Sequence, residues 1–383
     1  MQPAPPMKFQ VRRFNEARAL WQEIGSDAIA SPYADFDWLA AWCETIGTKA
    51  DIDAITIEMR QADRLLLVCP LMLRRIAGVT ICNWLGGHTQ NFNSALFSSD
   101  WLRSADSGDF DAVFLGLKQA LPNVDLFCLG RQPEHILGVR NPFYCRGFST
   151  RHRDPFYQVQ MSEDFCAWKS DRRSKGSLQR LQRQRKQLEK SFGQVEILQP
   201  KSSGQLESLL NVFFIQRARS AQAGLVPNPF FDSKLRNFVH RAAFAGLQKK
   251  RGLQVFALIA DGSILATELV LLTRDSYSGF AKSMDLNMAK FSPGKLLSHE
   301  VLKTVHARGI RYVDFGLGAE KYKEDWTDRI ELCDSYFPIR SNGFAMMTTM
   351  MSINMAWRLT KNLPGTRSLV RRGKTTIQSQ QHC

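Results

Sequence analysis

The stretch Tyr312-Val-Asp314-Phe-Gly316-Leu-Gly318-Ala-Glu320-Lys-Tyr322-Lys323-Glu-Asp-Trp326 decides how the chain is read. A short apolar strand ends in a Gly-x-Gly turn, and charged and aromatic residues crowd the positions that follow. Such density on a turn points to a site, because loops on a rigid scaffold carry most binding and catalytic groups. Upstream, Phe291-Ser292-Pro293-Gly294-Lys295-Leu296-Leu297 opens a helix. Proline suits the first helical position, and glycine lets a ligand approach the exposed N–H groups.

Working outward, alternation predicts a hairpin over Val255–Ala260 and Ile264–Thr273 around Asp261-Gly262, then a strand over Tyr277–Met284. Helical spacing predicts helices at Leu206–Arg219, Phe231–Leu247 and Ser292–Ala307. The first half reads similarly. Helices are expected at Phe14–Ile24, Asp35–Thr45 and Phe110–Leu121, and strands at Asp51–Glu58, Leu65–Leu73 and Val124–Leu129. Phe36, Leu39, Ala40 and Cys43 fall on one stripe of the second helix. The order of elements predicts a mixed-sheet α/β (α+β) fold.

At 383 residues the chain exceeds one ordinary core, so two domains are expected, over 8–152 and 153–343, followed by a tail over 344–383. Scattered cysteines without a C-x-x-C pair argue against a metal site or a disulfide framework, and point to reduced cytoplasmic thiols. No apolar run of about 18 residues predicts a membrane span, and the start lacks the pattern of a secretory signal. The net charge of +15 favours an anionic partner: nucleic acid, a phosphorylated co-substrate or an anionic leaflet. Nine Lys or Arg residues lie between Trp168 and Lys190, as a solvated basic helix face or as a contact for phosphates. Phe344–Leu359 is Met-rich and apolar, and Arg358, Lys361, Arg367, Arg371, Arg372 and Lys374 follow. Such a helix either lies on a membrane surface or packs on the protein.

The segment Val255–Trp326 resembles the C-terminal half of the CelD/BioF2-like acyltransferases, of the GNAT superfamily and related to the FemAB peptidyltransferases. The resemblance rests on Asp261-Gly262, Met284-Asp285, Ser292-Pro293-Gly294 and Asp314-Phe-Gly-x-Gly-x-Glu320-x-Tyr322-Lys323-x-x-Trp326. Weaker matches are Pro32-Tyr33, Trp38, Trp42, Pro70-Leu71, Arg74 and Trp84-Leu85-Gly86-Gly87. There the family often continues to an acidic-aromatic pair, where this chain reads His88-Thr-Gln-Asn-Phe92. The resemblance implies tandem GNAT-like domains, acyl-CoA as co-substrate and no tightly bound cofactor. Ser292, Pro293, Gly294 and Lys295 would receive the CoA pyrophosphate at a helix N-terminus.

Acyl transfer to an amine needs a base, donors for the oxyanion and a proton for the leaving sulfur. His299, Asp285, Glu268 and Asp314 are candidate bases. Glu268 interrupts an apolar strand and so faces a cleft or water. Lys323 would stabilise developing negative charge, or else pair with Asp325 or Glu324 on the surface, and Tyr322 would protonate the thiolate. Asp314, Gly316, Gly318, Glu320 and Trp326 are expected to shape the substrate side. The absence of a G-x-S-x-G elbow argues against a serine hydrolase. The expectation is a cytoplasmic, bacterial-type N-acyltransferase, with peripheral contact at the inner membrane as the alternative placement. Its acceptor would be an amine of an envelope polysaccharide precursor, in keeping with the family's link to cellulose and exopolysaccharide, or of a long-chain lipid base. Two rivals stand beside it: a Fem-like transferase using aminoacyl-tRNA, and a non-catalytic adaptor of a polysaccharide-synthesis complex.

Overall fold

The computed structural model describes residues 5–49, 51–318 and 323–361. Two mixed sheets dominate it, and they share one topology. The first runs in the order Lys8–Arg13, Ile52–Gln61, Arg64–Ile76, Val79–Trp84, Leu126–Pro133, Leu332–Pro338, Phe148–Arg151. The second runs Val195–Leu198, Gly252–Ala260, Ser263–Leu272, Ser276–Met284, Tyr312–Leu317, Phe156–Gln160, Asp328–Ile330. In each, the first four strands are antiparallel neighbours, the fourth and fifth are parallel, and the last two return antiparallel. The tandem arrangement is thus built into the sheet order.

One feature escapes a linear division of the chain. Leu332–Pro338, assigned by the 153–343 boundary to the second unit, pairs in the first sheet. Phe156–Gln160, which directly follows the first unit, pairs in the second sheet. Residues 148–160 and 328–338 therefore form an antiparallel ribbon, from Tyr336↔Phe148 to Asp328↔Gln158, that crosses between the sheets. Such long-range pairing leaves no periodicity in sequence.

Local chemistry explains the elements. Asp261 and Gly262 both take positive φ, 47° and 68°, which a two-residue hairpin loop requires for its twist to match the strands. Asp35 caps the helix Phe36–Thr45 through the Trp38 N–H. That helix buries Trp38, Leu39, Ala41 and Trp42, whereas Ala40 and Cys43 of the expected stripe are only half-buried. The reason is its position: it lies against the second unit as well as the first. Trp38 meets Phe238 edge-on, with centroids 4.5 Å apart, and Phe280 at 5.2 Å. Phe92 meets Phe156 at 5.3 Å, and one apolar cluster holds residues of both units. Each such buried side chain is worth about 1.5–3 kcal/mol, which makes the junction a core rather than a hinge.

The C-terminal helix, Ser341–Lys361, packs Met347 on Leu126 and Tyr336 of the first sheet, with Phe344 and Ile353 exposed. The basic positions Arg367 to Lys374 lie outside the described residues. No helix among the described residues is long and apolar enough to cross a membrane.

Candidate active site at the junction of the two units

In the second sheet, the parallel strands Ser276–Met284 and Tyr312–Leu317 are paired over only three positions, Ser276↔Tyr312 to Ser278↔Asp314. Beyond these the strands part, helped by a register shift opposite Leu269 and Val270. Lys282 Nζ stands 4.6 Å from the Phe315 ring centroid and 2.8 Å from the Ser298 hydroxyl. The helix Pro293–Ala307 connects the two strands.

Its start differs from that of its counterpart in the first unit. Ser292 sits at φ 51° and provides no side-chain cap, while the N–H groups of Lys295 and Leu296 turn back to its carbonyl. A Cβ on Gly294 would meet only the Met284 sulfur, at 4.0 Å, so the turn is open there, and Lys295 is exposed. The helix Ser107–Ala120 instead begins in a carboxylate capping box. Asp106 accepts from the N–H groups of Gly108 and Asp109 at 2.7 and 3.0 Å, and Asp109 accepts from the Asp106 N–H at 3.1 Å. A phosphate is repelled by the carboxylates at the Ser107 start and attracted by the uncapped Pro293 start.

Asp314 lies where the strands part, 3% exposed, and its surroundings come from both units. Its Oδ1 accepts from the Gly316 N–H at 3.1 Å and stands 3.3 Å from the Asn91 amide nitrogen. Asn91 also donates to the Gly279 carbonyl at 3.1 Å and contacts the Tyr33 hydroxyl, which accepts from Ser278 at 2.7 Å. Burial pushes the Asp314 carboxyl up to about 7, against the opposing pull of Ser278, Asn91, the Gly316 N–H and the Lys323 charge. Burial, with Asp314 close by, also raises the Tyr33 phenol well above its ordinary range. Gly316 is required twice over. Its φ is 74°, and a Cβ there would stand 2.5 Å from the Asn91 side chain.

Glu268 is fully buried rather than at a cleft or in water. It meets Lys282 Nζ at 3.0 Å, accepts from the Tyr277 hydroxyl, and lies 3.2 Å from the Ser298 hydroxyl. Ser298 also reaches the Gly294 carbonyl at 3.0 Å, tying the carboxylate to the helix start. A carboxylate with three partners is held in place, which suits a positioning role.

Lys323 is buried too, its Nζ 2.5 Å from the Leu317 carbonyl and 5.9 Å from the Tyr157 ring. It is therefore inside, beside the Gly-x-Gly turn, rather than paired on the surface. Gly318, at φ 111°, donates to the Pro155 carbonyl on the crossing ribbon at 3.0 Å. Trp326 stacks on Trp168 at 5.6 Å. His299 turns to that aromatic group, 6.0 Å from Trp326, and pairs with Glu300 at 3.4 Å. Asp285 caps the turn after its strand by accepting from the Asn287 N–H. Glu320 and Tyr322 lie outside the described residues. The geometry thus brings Asp314, Gly316, Gly318 and Lys323 together, places Glu268 beside the helix start, and sets His299 and Asp285 apart. Asn91, Tyr33 and Ser278 were missed as site residues. The available signal was Asn91-Phe92, where the CelD/BioF2-like resemblance implies an acidic-aromatic pair that this chain lacks.

Residues 175–324 match the family model described as an acetyltransferase (GNAT) domain. Among solved structures, FemX is similar over 85% of this chain and 96% of its own, with a TM-score of 0.57 at 8% identity. A conserved protein of unknown function from Bacteroides thetaiotaomicron VPI-5482 is similar over 86% of this chain and 99% of its own, with a TM-score of 0.53 at 12% identity. No curated protein matches the chain in sequence. The match within the second unit and the repeated sheet order together identify a GNAT-type acyltransferase fold, in tandem, with the overall architecture seen in FemX.

Proposed function

We propose that the chain is an N-acyltransferase that moves an acyl group from acyl-CoA to an amine. The observation that carries this reading is the contrast between the two helix starts: the parallel pair spans three positions in both units, but among the described residues only the second unit's connecting helix has an open, uncapped N-terminus. The CoA pyrophosphate would lie at Ser292–Lys295 and the thioester arm between the Ser276 and Tyr312 strands.

The amine would enter from the junction and meet Asp314. A carboxyl with a pKa near 7 is matched to general-base work at neutral pH. It takes the amine proton as nitrogen attacks the thioester carbonyl. The tetrahedral oxyanion then collapses, the C–S bond breaks and the thiolate leaves. Lys323 supports the ionised state of Asp314, and Tyr322 is retained as the proton donor to sulfur. The CelD/BioF2-like resemblance favours an envelope sugar or a long-chain lipid base as acceptor. The basic face of the helix Lys175–Phe192, with Arg180, Arg183 and Lys186 exposed, suits an anionic surface close by.

The test is acyl-CoA turnover, followed as free thiol, against amino sugars and long-chain amines. Amine-dependent release that Asp314→Asn abolishes supports the reading, and no release with any amine rejects it. A second reading, aminoacyl-tRNA as donor, is favoured by the likeness to FemX and by the basic helix. It requires a binding constant that falls steeply with salt.

A further inference from the structure

Arg131 lies within the strand Leu126–Pro133, at the irregularity in its pairing with Leu332–Pro338, in a left-handed conformation, φ 57°, that is uncommon for a residue other than glycine. Its guanidinium contacts the Gln90 carbonyl, the His88 carbonyl at 3.4 Å and His88 Nδ1 at 3.3 Å. No carboxylate among the described residues lies within ion-pair distance of it. Asp334, the acid nearest in the chain fold, accepts the Arg131 backbone N–H at 2.8 Å and is otherwise held by His152 Nδ1 at 2.9 Å. Of the five guanidinium donors, the Nε proton and one Nη2 proton are left over by these contacts.

The neighbourhood is mixed, with cations in excess: Arg131, Arg153 and Arg74 stand against Asp334 and Asp154, and Arg153 Nε pairs with Asp154 at 3.3 Å. Burial, then the charges of Arg131, Arg153 and Arg74, hold the His88 ring down at about 4, so it is neutral at pH 7. Its Nδ1 accepts from Arg131, which leaves the proton on Nε2 as a further donor. His88 is nevertheless exposed to water. The group also adjoins the proposed reaction centre. Arg131 bonds to Gln90, the residue before Asn91, and its charge reaches Tyr33, which Asp314 also faces.

We propose that Arg131, His88 and Arg153 form a binding site for an oxyanion, a phosphate or carboxylate borne by the acceptor substrate. Naming the acceptor as the bearer rests on the acyltransferase reading; the anion site itself does not. The fork of Arg131 would take two oxygens and His88 Nε2 a third, fixing the acceptor so that its amine reaches Asp314.

The test uses the full chain, with the His88 ring resonances followed by NMR and binding measured by calorimetry. The probes are inorganic pyrophosphate, succinate, and vesicles of phosphatidylglycerol with phosphatidylcholine as control. The expected result is that at least one anionic probe moves the His88 titration upward and binds about tenfold or more weakly to Arg131→Gln. Arg153→Gln, at a more exposed position, should weaken binding as well and guards against misfolding of the first variant. Which probe acts separates a soluble phosphate, a carboxylate and a lipid headgroup. Acetyl-CoA binding, read by mass, should be unchanged in Arg131→Gln and lost in Lys295→Ala, whose His88 response should persist. An unresponsive His88 ring with every probe, or a response undiminished in Arg131→Gln, overturns the proposal.

Discussion

The Asn91 amide nitrogen and the Asp314 carboxylate oxygen stand 3.3 Å apart although they belong to different units. This contact places a carboxyl of the second sheet under the control of the first. In the proposed reading, the second unit supplies the open helix start and the first closes one wall around Asp314.

The acid limb of activity should report Asp314. Its carboxyl is a base only when ionised, so turnover rises with pH through about 7. Asp314→Asn should lower kcat by about 10²- to 10⁴-fold, the usual worth of a general base, and abolish that limb. Stability should move the other way. The folded pKa lies above the ordinary value of 3.8, so the native state binds the extra proton between about 4 and 7 and loses stability as pH rises through that window. The neutral variant escapes this loss. Thermal unfolding should show its advantage over the parent growing from pH 5 to pH 8, to at most about 4 kcal/mol.

Asn91→Asp should move the acid limb further up. It replaces a donor by a second carboxylate, and two like charges in one buried site raise one pKa strongly. The pH–rate profile should shift by about one unit or more, and a limb at the parental position would separate Asn91 from Asp314 functionally.

At Gly294 stability and binding should diverge. The site has room for a methyl group, and glycine inside a helix costs about 0.5–1 kcal/mol relative to alanine. Gly294→Ala should therefore melt no lower than the parent, yet bind acyl-CoA more weakly because the methyl stands where the phosphate approaches. Calorimetric binding beside a melting curve decides it.

Glu268 and Lys282 should couple. Removing the buried carboxylate takes the counter-charge from Lys282, which keeps the Ser298 hydroxyl at 2.8 Å, and Glu268→Leu should cost about 2–4 kcal/mol, less than a wholly interior pair because Lys282 is 22% exposed. Lys282→Met in the same chain should recover most of that loss. Additive losses in denaturant unfolding would show that Tyr277 and Ser298 alone hold Glu268.

Much of the second unit was legible because its signals are local. The Asp261-Gly262 loop, the Ser292-Pro293-Gly294 start and the Gly316-x-Gly318 turn each declare a backbone conformation. The expected fold class and strand–helix alternation hold for the same reason. Three things were not legible. The crossing ribbon pairs residues some 180 positions apart, from Tyr336 and Phe148 onward, and nothing in either segment encodes its partner. The burial of Glu268 depends on Lys282 facing it across the strands. Arg131 looks like one basic residue among many until three dimensions show no carboxylate of the described residues within ion-pair distance of its guanidinium.

The central claim, a CoA-dependent transferase with one donor site in the second unit, is tested most directly by native mass spectrometry. Acetyl-CoA to palmitoyl-CoA would be scanned against the intact chain, Lys295→Ala and, as a control in the first unit, Asp106→Ala. The account predicts one acyl-CoA per chain, weakened or lost in Lys295→Ala and unaffected by Asp106→Ala, with the preferred chain length separating sugar acetylation from lipid acylation. No acyl-CoA bound at any length, or binding indifferent to Lys295, would contradict it.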